Sequence, residues 1–283
     1  MADDFKYCAA RVREFDRDRY LATLFAPADK RGALFALYAF NVEMSRVRDL
    51  AREPMPGEIR LQWWREVISG ERDGEACANP IAAALMRVLA NHHVPAEKLL
   101  GLVEAHRFDL YNEPIAGFAE FQSYASSSIG PVFELAGQIL CDASQPALAG
   151  MVAEAAQAQL VANVVALLPR HVAHQQLYIP QDALRHYGAQ PEDVFAMRAT
   201  PEVRATLAEL RLRGRRHLAR VAAADSEISA RAQPAFLSLA PLRPWLLDME
   251  RPDYDPFSPP QMAAWRRQWL IWRAARSFRR IGN

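Results

Sequence analysis

Apolar side chains return every three or four residues along nearly the whole of this 283-residue chain, and no sustained every-other-residue alternation interrupts them. That period belongs to helices burying one face, not to strands. Residues 28–51 place Leu34, Leu37, Tyr38 and Val42 at such steps, and the pattern returns at 58–70, 79–91, 96–112, 118–140, 147–168, 201–223, 231–247 and 260–279. Proline and glycine fall between these stretches, as in PMPG at 54–57, NHHVP at 91–95 and DYDPFSPP at 253–260. There is no glycine-rich phosphate loop, no internal repeat and no linker long enough to divide the chain. With 51% hydrophobic residues and only 12 glycines, the chain reads as one all-α domain of roughly eight to ten helices.

The charges balance: 34 Lys and Arg against 33 Asp and Glu leave a net charge of +1, which argues against a nucleic-acid binder. Only Lys6, Lys30 and Lys98 are lysines, so clusters of arginine carry less weight than usual. Cys8, Cys77 and Cys141 are too far apart for a zinc site or a disulfide framework, and a reducing compartment is expected. The opening MADDFKYCAARVREFD is acidic and lacks an apolar run, so neither a secretory signal nor a transit peptide is expected. The uncharged stretch Ala155 to Pro169 falls short of the ~20 apolar residues of a spanning helix. A cytoplasmic location is expected, with a peripheral place on the inner face of the cytoplasmic membrane as a refinement.

Three segments carry a resemblance: FAPADKRGALFALYAFNVEMSRVRD at 25–49, HRFDLYNEPIAGFAEFQSYASSSIGPVFELAG at 106–137, and ANVVALLPRHVAHQQLYIPQDALRHYG at 162–188. In order and spacing they resemble the squalene/phytoene synthases, over about residues 14–278. The resemblance implies an isoprenoid-synthase-type helical bundle in which two helices face each other across a central cavity, each with an aspartate-rich motif. In such a site magnesium bridges a substrate diphosphate to protein carboxylates, because a hard dication needs hard oxygen ligands.

The chain departs from that pattern where it matters most. After ALYAF the family has Asp-Asp-x-x-Asp; here the positions read Ser45, Arg46, Val47, Arg48, Asp49. In the second motif the two aspartate positions, counted back from Tyr178, are Leu167 and His171, and no acid occurs from Ala155 through Gln181. Pro169 should kink or end the helix there. FNVE followed by a basic residue and Asp49, QWWREV at 62–67 and the proline-interrupted second motif resemble the branch of the family that contains the mitochondrial complex I assembly factor. That branch lacks the aspartate motifs.

Glu43, Arg46 and Asp49 are spaced i, i+3, i+6, which fits either a surface ion-pair ladder or an internal network replacing a metal cluster. Arg170, His171 and His174 could grip a phosphate or carboxylate without metal, or be structural. By the resemblance, Asp109 and Tyr124 line the cavity, and Asn163 and Tyr178 are survivors of the same kind. The ligand-cavity candidates are therefore Arg46, Asn163, Arg170, His171, His174 and Tyr178. Should the chain be active, its catalytic candidates are Glu43, Asp49, Asp109 and Tyr124. No metal site is expected, and Mg²⁺ enters only under that second alternative. Trp265, Trp269 and Trp272 share one helical face within an arginine-rich segment, 264–280. The expectation is that the tryptophans dock into the core and the arginines offer a weak membrane or partner surface. The basic run at 211–220 reads as a solvated helix face.

The resemblance thus implies a non-catalytic protein acting in assembly of respiratory complex I, in contact with complex I subunits or assembly intermediates and holding a prenyl or other anionic lipid. A monomer is expected. The alternatives are a divergent head-to-head prenyltransferase acting on farnesyl or geranylgeranyl diphosphate, and a non-catalytic partner of an active family member.

Overall fold

The computed structural model describes all residues except Met1, Arg52, His93, Glu227 and Asn283, and the backbone only of Ala2. The helices run α1 (Ala2–Phe15), α2 (Arg17–Thr23), α3 (Ala28–Ser45), α4 (Val47–Leu50), α5 (Pro54–Ile68), α6 (Asp73–Ala78), α7 (Pro80–His92) and α8 (Ala96–Ala105). The second half holds α9 (Phe118–Ser128), α10 (Gly130–Cys141), α11 (Ala149–Ala166), α12 (Leu168–Ala173), α13 (Gln181–Tyr187), α14 (Pro191–Phe195), α15 (Pro201–Ala223), α16 (Leu242–Asp248) and α17 (Ala264–Arg276). Short 3₁₀ turns join several of them, and there is no strand among the described residues.

α3 is buried at every residue from Ala33 through Met44, as expected of a helix apolar all round and enclosed by neighbours. It packs against α1, α7 and α10. The FNVE sequence that follows the buried ALYAF run reaches α5 through Phe40, whose ring meets Trp64 edge-on at 5.0 Å. α11 packs along α15, flanked by α9 and α10. Thr200 starts α15: its Oγ1 accepts from Val203 N at 3.3 Å, with Pro201 in the first turn and Glu202 complementing the helix dipole. α11 and α15 approach closely because residue 214 is glycine; a Cβ there would lie 2.8 Å from Val161 Cγ1.

Four stretches depart from the sequence reading, the first being 118–140, which divides at Ile129 into α9 and α10. The pattern at 28–51 is not one helix, for the chain leaves helical geometry at Arg46 (φ −110°, ψ 7°) before α4. The pattern at 231–247 resolves into short 3₁₀ turns and α16, because Pro234, Pro241 and Pro244 deny the backbone donors a long helix needs. Residues 96–112 stop as a helix at Ala105, after which a 3₁₀ turn, Phe108–Leu110, carries Asp109. The break at Pro169 is where the sequence placed it: α11 ends at Ala166 and α12 begins at Leu168.

Candidate functional site

A cavity lies between α3 and α11, closed at one end by the Asp109 turn and α9 and bordered at the other by α2, α16 and α17. It has an outer cleft of about 410 Å³ and a deeper lobe of about 110 Å³. The two share Arg19, Asn41, Ser45, Gln159, Asn163 and Leu167 as walls. The shared wall is mostly neutral and polar. Asn41 and Ser45 stand one turn apart on α3, and Gln159 Nε2 on α11 donates to Asn163 Oδ1 at 2.8 Å.

The outer cleft carries five arginines, Arg17, Arg19, Arg46, Arg170 and Arg267, against Asp16 and Asp18. Asp49 stands beside it, where the helix break lets α4 turn towards α12. Arg170 Nε donates to Asp49 Oδ1 at 2.7 Å, and its Nη2 meets Oδ2 to make a two-pronged pair. His174 Nε2 lies 3.3 Å from the same Oδ1, and Arg46 Nε is 3.9 Å from Oδ2. Burial, with Arg48 and Arg170 nearby, lowers the His174 pKa, so at neutral pH the ring stands uncharged beside Asp49. Arg46 also stacks on Phe15, 3.7 Å from the ring centre. The one acid left in the first motif is therefore bound to the second motif by a cation.

Glu43 is not part of this network, contrary to both readings of the i, i+3, i+6 spacing. It is buried outside the cavity lining and pairs with Arg60 on α5 and with Arg11 on α1, whose Nη2 lies 3.6 Å away. Its role is to fasten α1 and α5 to α3. The trio Arg170, His171 and His174 is also split. Arg170 and His174 turn to Asp49, while His171 turns inward to the deep lobe and meets Tyr178, ring centres 4.6 Å apart.

Asp109 organises the deep lobe. Its Oδ1 accepts from Tyr124 Oη at 2.5 Å and from Tyr178 Oη at 2.7 Å, and its Oδ2 lies 2.7 Å from His106 Nδ1. Gln176 Nε2 donates to its backbone carbonyl. Burial, then the Asp109 charge, pushes both tyrosine hydroxyls well above 10, so they stay protonated donors. Burial, helped by Arg170 and His174, holds His171 down at about 4 from the usual 6.5, so its imidazole is neutral. Between those values the unfolded chain takes up a proton on residue 171 that the folded chain refuses. His171 thus costs the fold stability as pH falls from about 6.5 towards 4, and nothing at neutral pH or above. The melting temperature of His171→Gln minus that of the wild type should therefore rise as pH is lowered through this window, measured by scanning calorimetry. A difference independent of pH would remove the argument.

The sequence reading did not place Arg17, Asp18, Arg19 or Arg267 at the cavity; it read Arg267 only as part of the arginine-rich surface of 264–280. Arg19 is buried, pairs with Asp16 Oδ2 at 2.9 Å, and lies over the Tyr38 and Phe133 rings. Asp18 pairs with Arg267 of α17, and burial raises its carboxyl to about 6 against the pull of that arginine. The DRDR run at 16–19 was the available signal, hidden in an arginine-rich sequence. The YIPQD ending is structural: Asp182 Oδ2 accepts from Phe118 N at 3.0 Å at the start of α9, and Gln181 N donates to Ile115 O at 2.9 Å.

A magnesium cluster does not fit these residues. Asp49 is taken up by Arg170, the second motif offers no carboxylate, and Asp16 and Asp18 are each paired with arginine. Among the described residues no three His, Cys, Asp or Glu side chains converge.

A helical bundle with a polar-walled cavity between facing helices defines an isoprenoid-synthase-type fold. A dehydrosqualene synthase matches with a TM-score of 0.80 at 16% identity, covering 98% of this chain and 96% of that one. Squalene synthase from Alicyclobacillus acidocaldarius matches with a TM-score of 0.72 at 24% identity, over 91% and 95%. The squalene/phytoene synthase profile matches residues 12–273, and the chain belongs to that family. Among curated relatives, complex I assembly factor 6 is 26% identical in Rattus norvegicus, over 91% of this chain and 77% of that protein, and 26% identical in Homo sapiens, over 89% and 76%. Phytoene synthase 2 of Solanum lycopersicum is 25% identical, over 91% and 85%.

Proposed function

We propose that this chain is a non-catalytic member of its family that acts in the assembly of respiratory complex I and keeps the cavity for a prenyl or other anionic lipid. The observation that carries the reading is the Asp49–Arg170 pair. Diphosphate ionisation in this fold calls for negative charge on both cavity walls to gather dications. Here a protein cation occupies the single carboxylate left in the two motifs. The likeness to complex I assembly factor 6 supports the assignment to that process. Arginines around the cleft suit an anionic head group, and the neutral amides of Asn41, Gln159 and Asn163 offer hydrogen bonds deeper in.

Deleting the gene should remove most NADH:quinone reductase activity from the membranes while leaving succinate:quinone reductase intact. Unchanged NADH:quinone reductase would defeat the proposal. Purified protein given farnesyl or geranylgeranyl diphosphate with magnesium should release no pyrophosphate above a blank.

The preserved Asp109–Tyr124–Tyr178 cluster favours a second reading, a divergent prenyltransferase. A C30 or C40 product that disappears in Asp49→Ala would establish it.

A further inference from the structure

We infer that α17 is an interfacial helix that seats the protein on an anionic lipid bilayer. The expectation that the tryptophan stripe docks into the core is overturned: Trp265 is 70% exposed, Trp269 47% and Trp272 42%. The docked face is the opposite one, formed by Leu270, Ile271 and Ala274, so α17 is held in place without its tryptophans. Three large indoles on one outward face of one helix form an apolar patch of the kind that marks a contact site rather than scattered surface residues.

The charge around the patch selects the occupant. No acidic residue follows Asp255. Three arginines of this segment are satisfied within the protein: Arg266 by Asp248, Arg267 by Asp18 and Arg279 by Asp225. Two of the others flank the outward face. Arg273 lies 4.7 Å from the Trp269 ring centre and Arg276 4.2 Å from that of Trp272, while Arg280 is exposed beyond the helix. Indoles prefer the head-group layer of a bilayer, and guanidinium groups beside them meet lipid phosphates at the same depth. Through Arg267 the same helix also borders the cavity mouth, so a bilayer under the tryptophans lies against an element that lines the cleft.

The test uses the full chain with vesicles of phosphatidylcholine alone and of phosphatidylcholine mixed equally with phosphatidylglycerol. Binding is read by co-sedimentation and by the blue shift of tryptophan emission. The wild type should bind the mixed vesicles and shift its emission. Trp265→Ser, Trp269→Ser and Trp272→Ser combined should weaken that binding about tenfold or more, with an unchanged melting temperature because the docked face is untouched. Arg273→Gln, Arg276→Gln and Arg280→Gln should each lose roughly fivefold on the mixed vesicles and nothing on phosphatidylcholine. The inference is overturned by a wild type that ignores both vesicles, by a tryptophan variant that binds as well as the wild type, or by tryptophan-dependent self-association in place of lipid binding.

Discussion

Asp109→Ala is expected to destabilise the fold by about 3–5 kcal/mol, the range for removing one partner of a buried, charged hydrogen-bond network. The reason is geometric. One carboxylate satisfies Tyr124, Tyr178 and the His106 ring; Asp109, Tyr178 and His106 are buried and Tyr124 is half-buried. His106 already has its Nε2 buried without a partner, so losing its Nδ1 partner would leave the ring unsatisfied at both nitrogens. Asp109→Asn keeps the shape and an acceptor oxygen, and should cost about half as much. Chemical denaturation of the three proteins checks this. Equal stability of Asp109→Ala and wild type would show that the lobe is wet enough to replace the carboxylate. The same variants bear on activity: the cluster's share in stability is reason enough for Asp109 and Tyr124 to stand where they do, with or without turnover.

Gly214→Leu should have a comparable effect from a different cause. Its Cβ alone would stand 2.8 Å from Val161 Cγ1 and 3.3 Å from Leu246 Cδ1. Overpacking in a filled interior costs about 1–3 kcal/mol, and a leucine with three further carbons reaches the upper end or beyond. The displaced element is α11, which carries Gln159 and Asn163 two residues either side of Val161. Loss of stability should therefore come with weakened binding of any prenyl phosphate to the cavity. Gly214→Ala separates the two terms: its better helix propensity, worth about 1 kcal/mol, offsets part of the clash. A Gly214→Leu protein that melts with the wild type would show that α11 and α15 can part without cost.

These sites differ in how far the sequence announces them. The helices were legible because α15 buries a regular stripe, because α3 and α11 are apolar nearly all round, and because Pro169 can only stand near a helix start or a break. The missing carboxylates were legible as plain substitutions at 45, 46, 167 and 171. Partner choice was not. The regular spacing of Glu43, Arg46 and Asp49 assumes one continuous helix, and the turn at Arg46 rotates Asp49 away from Glu43 and towards Arg170, 121 residues on. Helical periodicity placed the three tryptophans on one face but could not say which face of α17 is docked. Leu270, Ile271 and Ala274 make a smaller stripe opposite, and packing against α2 settles the choice in its favour.

The coupling of Asp49 to Arg170 also bears on redesign. Placing an acid at residue 171 leaves Asp49 still engaged, while deleting the guanidinium leaves Asp49 facing Arg46 and His174 with no second acid opposite. Neither exchange alone therefore sets free carboxylates on both facing walls.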